Sequence, residues 1–319
     1  MRTLDSRQRF GVSRVLVFGA INVDFVFLVP RLPGRGDTIW GERGWISAGG
    51  KGAIQAVAAA RDGARVSLAG AVGRDGFADA VLAELSEEGI ELGGVGRRPV
   101  PTGRSAICVE HDGHTGIVTD RGANAFALAD QVSDDALMRG RTLLVQMDTD
   151  PVEVGMLILR ARRLGVRVIL NLSPSRLIDA DAVRAADVLI GNNEEIAWLG
   201  ERLGTANNAA SIHAAIGITT VRMMGVQGVE AMTDRGWLQM PAMPVEMQDT
   251  TAAADCFVGV IAAALGRRTP FPDALRRAAV AAALSAREVG AKSSLPRRPE
   301  IDAALCDAPP TSRQEEVPD

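Results

Sequence analysis

The sequence predicts an α/β fold: a mainly parallel central sheet covered by helices on both faces, with a small β-sheet lid over one edge. Three observations predict it. After residue 130, apolar runs near 142–147, 166–171, 187–191 and 219–224 alternate with helical segments near 151–163, 193–203 and 207–216, the spacing of strand–helix–strand units. The opening run Arg14–Phe18 is short, apolar and closed by Gly19, as a buried first strand should be. Two β-only excursions, about 24–48 and 100–120, break the alternation and can pair with each other as the lid.

The remaining elements follow in order. Residues 24–48 mix aromatics with Pro30, Pro33 and several glycines, which suits short, partly exposed strands. Gly52–Arg61 is alanine-rich and helical, and Gly63 stops it. Arg65–Gly70 reads as a strand and Ala78–Glu88 as a helix ended by Gly89. Arg104–Glu110 and Thr115–Thr119 flank His111-Asp112-Gly113-His114, a hairpin tip. A second hairpin joins Val229–Met232 to Trp237–Met240, and helices near 252–266 and 271–288 close the domain. With no linker and no internal repeat, one domain is expected over 14–307. A polar, Arg-rich leader (1–13) precedes it and a disordered Pro/Ser/Glu-rich tail (308–319) follows.

Bulk properties narrow the function. The chain has 319 residues, 47% of them hydrophobic; a chain near this size buries roughly 75% of its unfolded surface. A net charge of −4 with the signs interspersed offers no nucleic-acid tract and no polybasic membrane patch. No apolar run approaches the roughly 20 residues of a membrane span. Three scattered cysteines without a CxxC pair fit a reduced, cytoplasmic setting. Three histidines, two of them at a hairpin tip, make no metal set.

The densest chemical signal is Asp249-Thr250-Thr251-Ala252-Ala253-Ala254-Asp255, followed by a long apolar helix. Small residues at a helix start leave its first N–H groups bare. With the positive end of the helix dipole they form a site for an anion such as a phosphate. Other polar residues fall at predicted strand ends, where α/β sheets bind ligands: Asn22 and Asp24, Asp148, Asn192 and Glu195. No GxGxxG follows the first strand. Gly49-Gly50-Lys51-Gly52 is no P-loop either, because Trp45 and Gly52 stand where Gly and Ser/Thr belong.

Taken in order, these elements resemble the ribokinase (PfkB-type) sugar kinase family over about residues 14–305. The resemblance rests on Gly19-Ala20-Ile21-Asn22-Val23-Asp24, the run from Gly49 to Ala60, Gly73-Arg74-Asp75, Gly122-Ala123-Asn124-Ala125, Asn192-Asn193-Glu194-Glu195, Asp249 to Asp255, and Gly290-Ala291. It implies a three-layer α/β/α fold and transfer of the γ-phosphoryl group of ATP to a hydroxymethyl group of a small sugar. It implies Asp255 as base and the amides of Ala252, Ala253 and Ala254 as the anion hole. Asn22, Asp24, Gly49, Gly50, Lys51, Ile54 and Asp148 are implied at the sugar. Asn192 and Glu195 are implied near Mg²⁺ and the phosphates, and Gly225 and Gly228 beside the nucleotide. Asp249 and Thr251, with carbonyls near Gly290, are implied in a loop holding a monovalent cation such as K⁺. A homodimer through the lid is also implied. Glu195 has a plainer role open to it, completing a capping box with Asn192.

Two positions depart from the family pattern. Ile54 stands where the family has Asn, so a sugar hydroxyl facing it would lose about 1–3 kcal/mol. Ala254 replaces a Gly, which is harmless only if that residue is helical. Two alternatives therefore stand beside the sugar kinase: an impaired or regulatory homologue that binds ligand without efficient transfer, and a nucleoside kinase in which Ile54, Phe25 and Phe27 face a base.

Overall fold

The computed structural model describes residues 13–111 and 113–314. Its first strand, β1 (Arg14–Phe18), runs into β2 (Asn22–Val29) through only Gly19-Ala20-Ile21. β3 (Arg43–Gly49), α1 (Lys51–Arg61), β4 (Arg65–Val72), α2 (Gly76–Glu87), β5 (Glu91–Arg97), β6 (Gly103–Glu110) and β7 (Thr115–Asp120) follow. The middle of the chain contributes α3 (Asp134–Gly140), β8 (Thr142–Val145), α4 (Pro151–Arg163), β9 (Arg167–Asn171), α5 (Ala180–Ala185), β10 (Val188–Asn192) and α6 (Asn193–Leu203). Then come α7 (Ala209–Ile216), β11 (Thr219–Met223), β12 (Val229–Thr233), β13 (Gly236–Met240), α8 (Ala253–Gly266), α9 (Phe271–Ser285), α10 (Arg298–Ala304) and β14 (Ser312–Gln314).

Ten of these strands form one sheet in the order β14-β13-β12-β11-β10-β9-β8-β1-β4-β5. It is parallel from β5 to β11 and antiparallel from β12 to β14. Strand alternation sends its side chains into two cores. Val15 and Val17 enter a core with α1, α8 and α9, while Leu16 and Phe18 enter one with α4, α5 and α7. The second sheet, β3-β2-β6-β7, is the small one expected from the two β-only excursions. Asn22 pairs with Gly49 on one side and with Gly103 on the other, so residues from three distant segments meet at the joint with β1.

Several elements were not expected from sequence: β5, α3, α5, α10 and β14. The tail is a correction, because Ser312–Gln314 pairs antiparallel with β13 and Arg276 donates to the Pro309 and Leu305 carbonyls at 2.9 and 2.8 Å. Residues 315–319 lie outside the described residues, as do leader residues 1–12. Ser13 is buried, and its carbonyl accepts from the Arg65 N–H at 2.8 Å. Among the described residues no helix is long and apolar enough to cross a membrane.

Candidate active site

The polar residues singled out in the sequence gather beyond the carboxyl ends of β1, β8 and β10, within electrostatic reach of the start of α8. That start has no cap. Ala252 occupies the N-cap position without a side-chain hydrogen bond, and the Ala254 and Asp255 N–H groups have no acceptor among the described residues. The Ala253 N–H is the exception, closing a turn onto the Thr250 carbonyl at 3.2 Å. The expected anion hole of Ala252, Ala253 and Ala254 thus has its middle amide already engaged. Ala254 lies within α8 and is not among the residues with positive φ, so its Cβ imposes no backbone strain.

Asp255 is buried, and its Oδ1 accepts from Gln55 Nε2 at 2.7 Å. The same Gln55 nitrogen donates to Asn171 Oδ1 at 2.9 Å, and Gln55 Oε1 accepts from Gln146 Nε2 at 2.6 Å. Asn171 is tied in turn to the Ile190 carbonyl at 3.2 Å. This buried chain of amides fixes the carboxylate from below. Sequence reasoning missed Gln55, Gln146 and Asn171. Their signal, a polar residue inside an Ala-rich helix or at a strand end, does not name a partner up to 200 positions away.

Lys51 Nζ stands 3.8 Å from Asp255 Oδ1. The Asp255 charge, with help from Asp148 and Glu195, raises the lysine above its ordinary range against the opposing effect of burial. Burial is also the main cause that pushes Asp24 and Asp148 up to about 6; the Asp255 charge adds to both, while a hydrogen bond from Ser105 opposes it at Asp24 and the Lys51 charge at Asp148. Each keeps one buried carboxylate oxygen, Oδ1, without a hydrogen-bond donor. Asn22 is better satisfied: Oδ1 accepts from Asn124 Nδ2 at 2.7 Å and Nδ2 donates to Ser105 Oγ at 3.3 Å. Asn124 also clamps the joint, accepting from the Ile21 N–H at 2.8 Å and donating to its carbonyl at 3.2 Å.

The glycines explain how these groups fit so closely. A Cβ on Gly49 would fall 1.9 Å from Asp24 Oδ2, and one on Gly50 would fall 2.7 Å from the Ala20 carbonyl. Gly50 also holds φ 87°, a left-handed conformation that favours glycine, and from there the chain enters α1 with Lys51 as its first residue. Gly228 at φ 93° approaches the Met240 carbonyl, while Gly225 begins a short turn with open space around it.

Other positions fall differently from expectation. Ile54 is buried in the apolar core beside Ala48 and Val57 and offers no polar contact. Phe25 and Phe27 alternate on β2 with Asn22 and Asp24 and so face the other way. Phe25 meets Phe77 edge-on with ring centroids 5.5 Å apart, and Phe27 is largely exposed. Asn192 and Glu195 do form the capping box, with reciprocal 2.8 Å bonds. Glu195 Oε2 is used in that box, yet the carboxylate still lies within electrostatic reach of Lys51. Asp249 Oδ1 accepts from the Thr251 N–H at 2.8 Å and Oδ2 from the Gly290 N–H at 2.9 Å, which brings the three expected loop residues together. Burial pushes the Cys256 thiol far above its usual range, so the helix start does not activate it.

A carboxylate at an uncapped helix start, a lysine beside it and two buried acids opposite it define the class: a phosphotransferase that acts on an alcohol. A family profile described as pfkB family carbohydrate kinase matches residues 12–298. A ribokinase of Haemophilus influenzae is 33% identical over 293 residues, covering 89% of this chain and 95% of its own. One from Bacillus subtilis is 31% identical over 92% of this chain and 100% of its own. The ribokinase structure from Thermotoga maritima superposes with a TM-score of 0.82 at 29% identity, covering 92% of this chain and 99% of its own. The Arabidopsis thaliana ribokinase complexed with ribose and ATP gives 0.80 at 25%, covering 92% and 99%. The chain belongs to the pfkB family of carbohydrate kinases.

Proposed function

We propose that this ATP-dependent sugar kinase transfers the γ-phosphoryl group to a hydroxymethyl group of a small sugar or sugar-like alcohol, with Asp255 as the base. The observation that carries the reading is the coincidence of the Asp255 carboxylate with the unpartnered Ala254 and Asp255 amides. Asp255 takes the proton of the acceptor hydroxyl as its oxygen bonds to the γ-phosphorus; the bond to the β-phosphate oxygen breaks and ADP leaves. The free amides donate to the oxygens of the transferring group and balance charge that grows there. Gln55 keeps the base aimed, and Lys51 offsets the negative charge around it. The orphaned oxygens of Asp24 and Asp148 are acceptors suited to sugar hydroxyls, and the glycines at 49 and 50 keep the wall beside them low. In the ribokinase complex from Arabidopsis the bound molecules are ribose and ATP, the same pair of chemical classes.

Gly225 and Gly228 are assigned to the nucleotide side. Asn192 and Glu195 would hold Mg²⁺ through its waters, and the ion would neutralise phosphate charge. Asp249, Thr251 and neighbouring carbonyls would supply one carboxylate and neutral oxygens to a monovalent cation such as K⁺. The small sheet is assigned as a lid that excludes water. Its exposed Phe27, Ile46 and Val118 share the face turned away from Asn22 and Asp24 and supply an apolar surface for pairing with a second copy. The absence of paired cysteines supports a cytoplasmic setting.

The impaired-homologue reading loses its backbone argument with the helical Ala254. The nucleoside reading loses Phe25 and Phe27, which lie on the wrong face of β2. Asp255→Asn tests the proposal: kcat should fall about 10²- to 10⁴-fold while calorimetric ATP affinity stays within about threefold. Unchanged turnover would remove Asp255 from the base role.

A further inference from the structure

Two arginines beside the acids play no part in the transfer step. Arg121 directly precedes the turn that carries Asn124. Its Nε is fully buried without an acceptor, and its guanidinium makes no hydrogen bond or ion pair among the described residues. Arg176 follows β9, and its Nη1 donates to the Thr149 carbonyl at 2.7 Å and the Met147 carbonyl at 3.4 Å, the two residues that flank Asp148. It has no carboxylate within ion-pair distance either.

The two guanidiniums are near enough to repel one another. Burial first, and the Arg121 charge second, hold Arg176 below the usual arginine range, with Asp150 and Asp148 acting in the opposite sense. Two partly desolvated cations within electrostatic reach of each other, neither in ion-pair contact with a carboxylate, are an unfavourable arrangement in a folded protein. A guanidinium presents a planar fork of donors, and a carboxylate or phosphate is the group that fits it. The location matters as much as the charge. The Arg121 backbone lies against Gly103 beside Asn22 and Asn124, and Arg176 holds the carbonyls on either side of Asp148, so both residues border the region assigned to the sugar. Ile54, buried in the core, withdraws an amide that a neutral sugar would use.

We propose that the phosphoryl acceptor is an anionic sugar or polyol whose carboxylate or phosphate group is bound by Arg121 and Arg176, while its hydroxyls meet Asp24 and Asp148. This deepens the sugar-kinase reading and rests on it for the position of the acceptor hydroxyl. It makes the charged group the main determinant of substrate choice, with the hydroxyl pattern secondary.

The test uses the full chain with Mg²⁺ and a non-hydrolysable ATP analogue, titrated calorimetrically with aldonic acids, aldose phosphates and the neutral aldoses of matching length. ADP release from the same panel is measured with ATP. At least one anionic class should bind about tenfold or more tightly than its neutral counterpart. Arg121→Gln and Arg176→Gln should each remove most of that advantage, with neutral aldoses changed by less than about threefold, and Arg121→Lys should recover part of it. Melting curves confirm that the variants fold, and the winning arm distinguishes carboxylate from phosphate. Equal affinity for neutral and anionic forms, or equal losses of both in the Gln variants, overturns the proposal. Selective, arginine-dependent binding without ADP release would instead retain the anion site and sink the kinase reading. ADP release confined to neutral aldoses would do the reverse.

Discussion

The starts of α6 and α8 open on the same rim of the sheet and are built in opposite ways. At α6, Asn192 and Glu195 bond each other's backbone, and the helix end is closed by its own side chains. At α8 the equivalent position is Ala252, which has nothing to offer, and the Ala254 and Asp255 amides stay free. Asn192 caps from an extended backbone (φ −83°, ψ −177°), whereas Ala252 is itself helical (φ −96°, ψ −5°), a conformation from which a side chain does not cap. The contrast separates two uses of one structural device: a helix start that holds the fold together, and one kept open for an anion from outside.

Four substitutions sharpen or break this contrast. The largest effect is expected from Gln55→Leu, which removes the amide that fixes Asp255 and strands Asn171 and Gln146. Turnover should fall roughly 10²-fold, with ATP affinity changed far less. Near-normal kcat would mean that Asp255 needs no such support.

Next is the electrostatic cost of the acids opposite α8. Asp24 is raised from 3.8 to about 6, first by burial. An acid whose folded pKa lies above its unfolded value favours folding while protonated. That contribution is complete below about pH 4 and disappears as pH rises through about 6. Asp24→Asn should therefore raise stability at pH 8 by about 2 kcal/mol and leave it nearly unchanged at pH 4. Equal shifts in Tm at both pH values would contradict the assignment.

Ala254→Pro comes third. It removes one of the free N–H groups in the first turn of α8, where proline is tolerated. Stability should change by less than about 1 kcal/mol while kcat/KM for ATP falls about tenfold. Full activity with an unchanged Tm would show that this amide does not serve the phosphate. The smallest effect belongs to Asn192→Ala, which opens the capping box and should cost about 1 kcal/mol in denaturant unfolding. The capped start thus answers in stability and the open one in turnover, and an exchange of those responses would erase the distinction between them.

Much of this was legible in the chain. The strand–helix spacing after residue 130 gave the parallel sheet, and Asp249 to Asp255 gave the uncapped helix. Gly50 could be read as a tight approach because only glycine sits easily at φ 87°. Illegible parts had physical reasons. β5 contains Gly93, Gly94 and Gly96, which carry no side chain to mark alternation. α5 spans six residues, α3 and α10 seven each, too short for a helical period to emerge. β14 is ordered by pairing with β13, against a composition that favours disorder. The link from Gln55 to Asp255 depends on tertiary contact alone, and so does the mutual exposure of Arg121 and Arg176.

Only three residues join β1 to β2, and the small sheet is hung from them. The small sheet begins with Asn22 and Asp24 on its first strand, and Asn124 grips the connection through both backbone groups of Ile21. Any tilt of that sheet must carry two recognition groups along with the cover they belong to. Opening would therefore dismantle half of the binding surface as well as admit water, and capture of the alcohol and assembly of its receptor would become a single mechanical event.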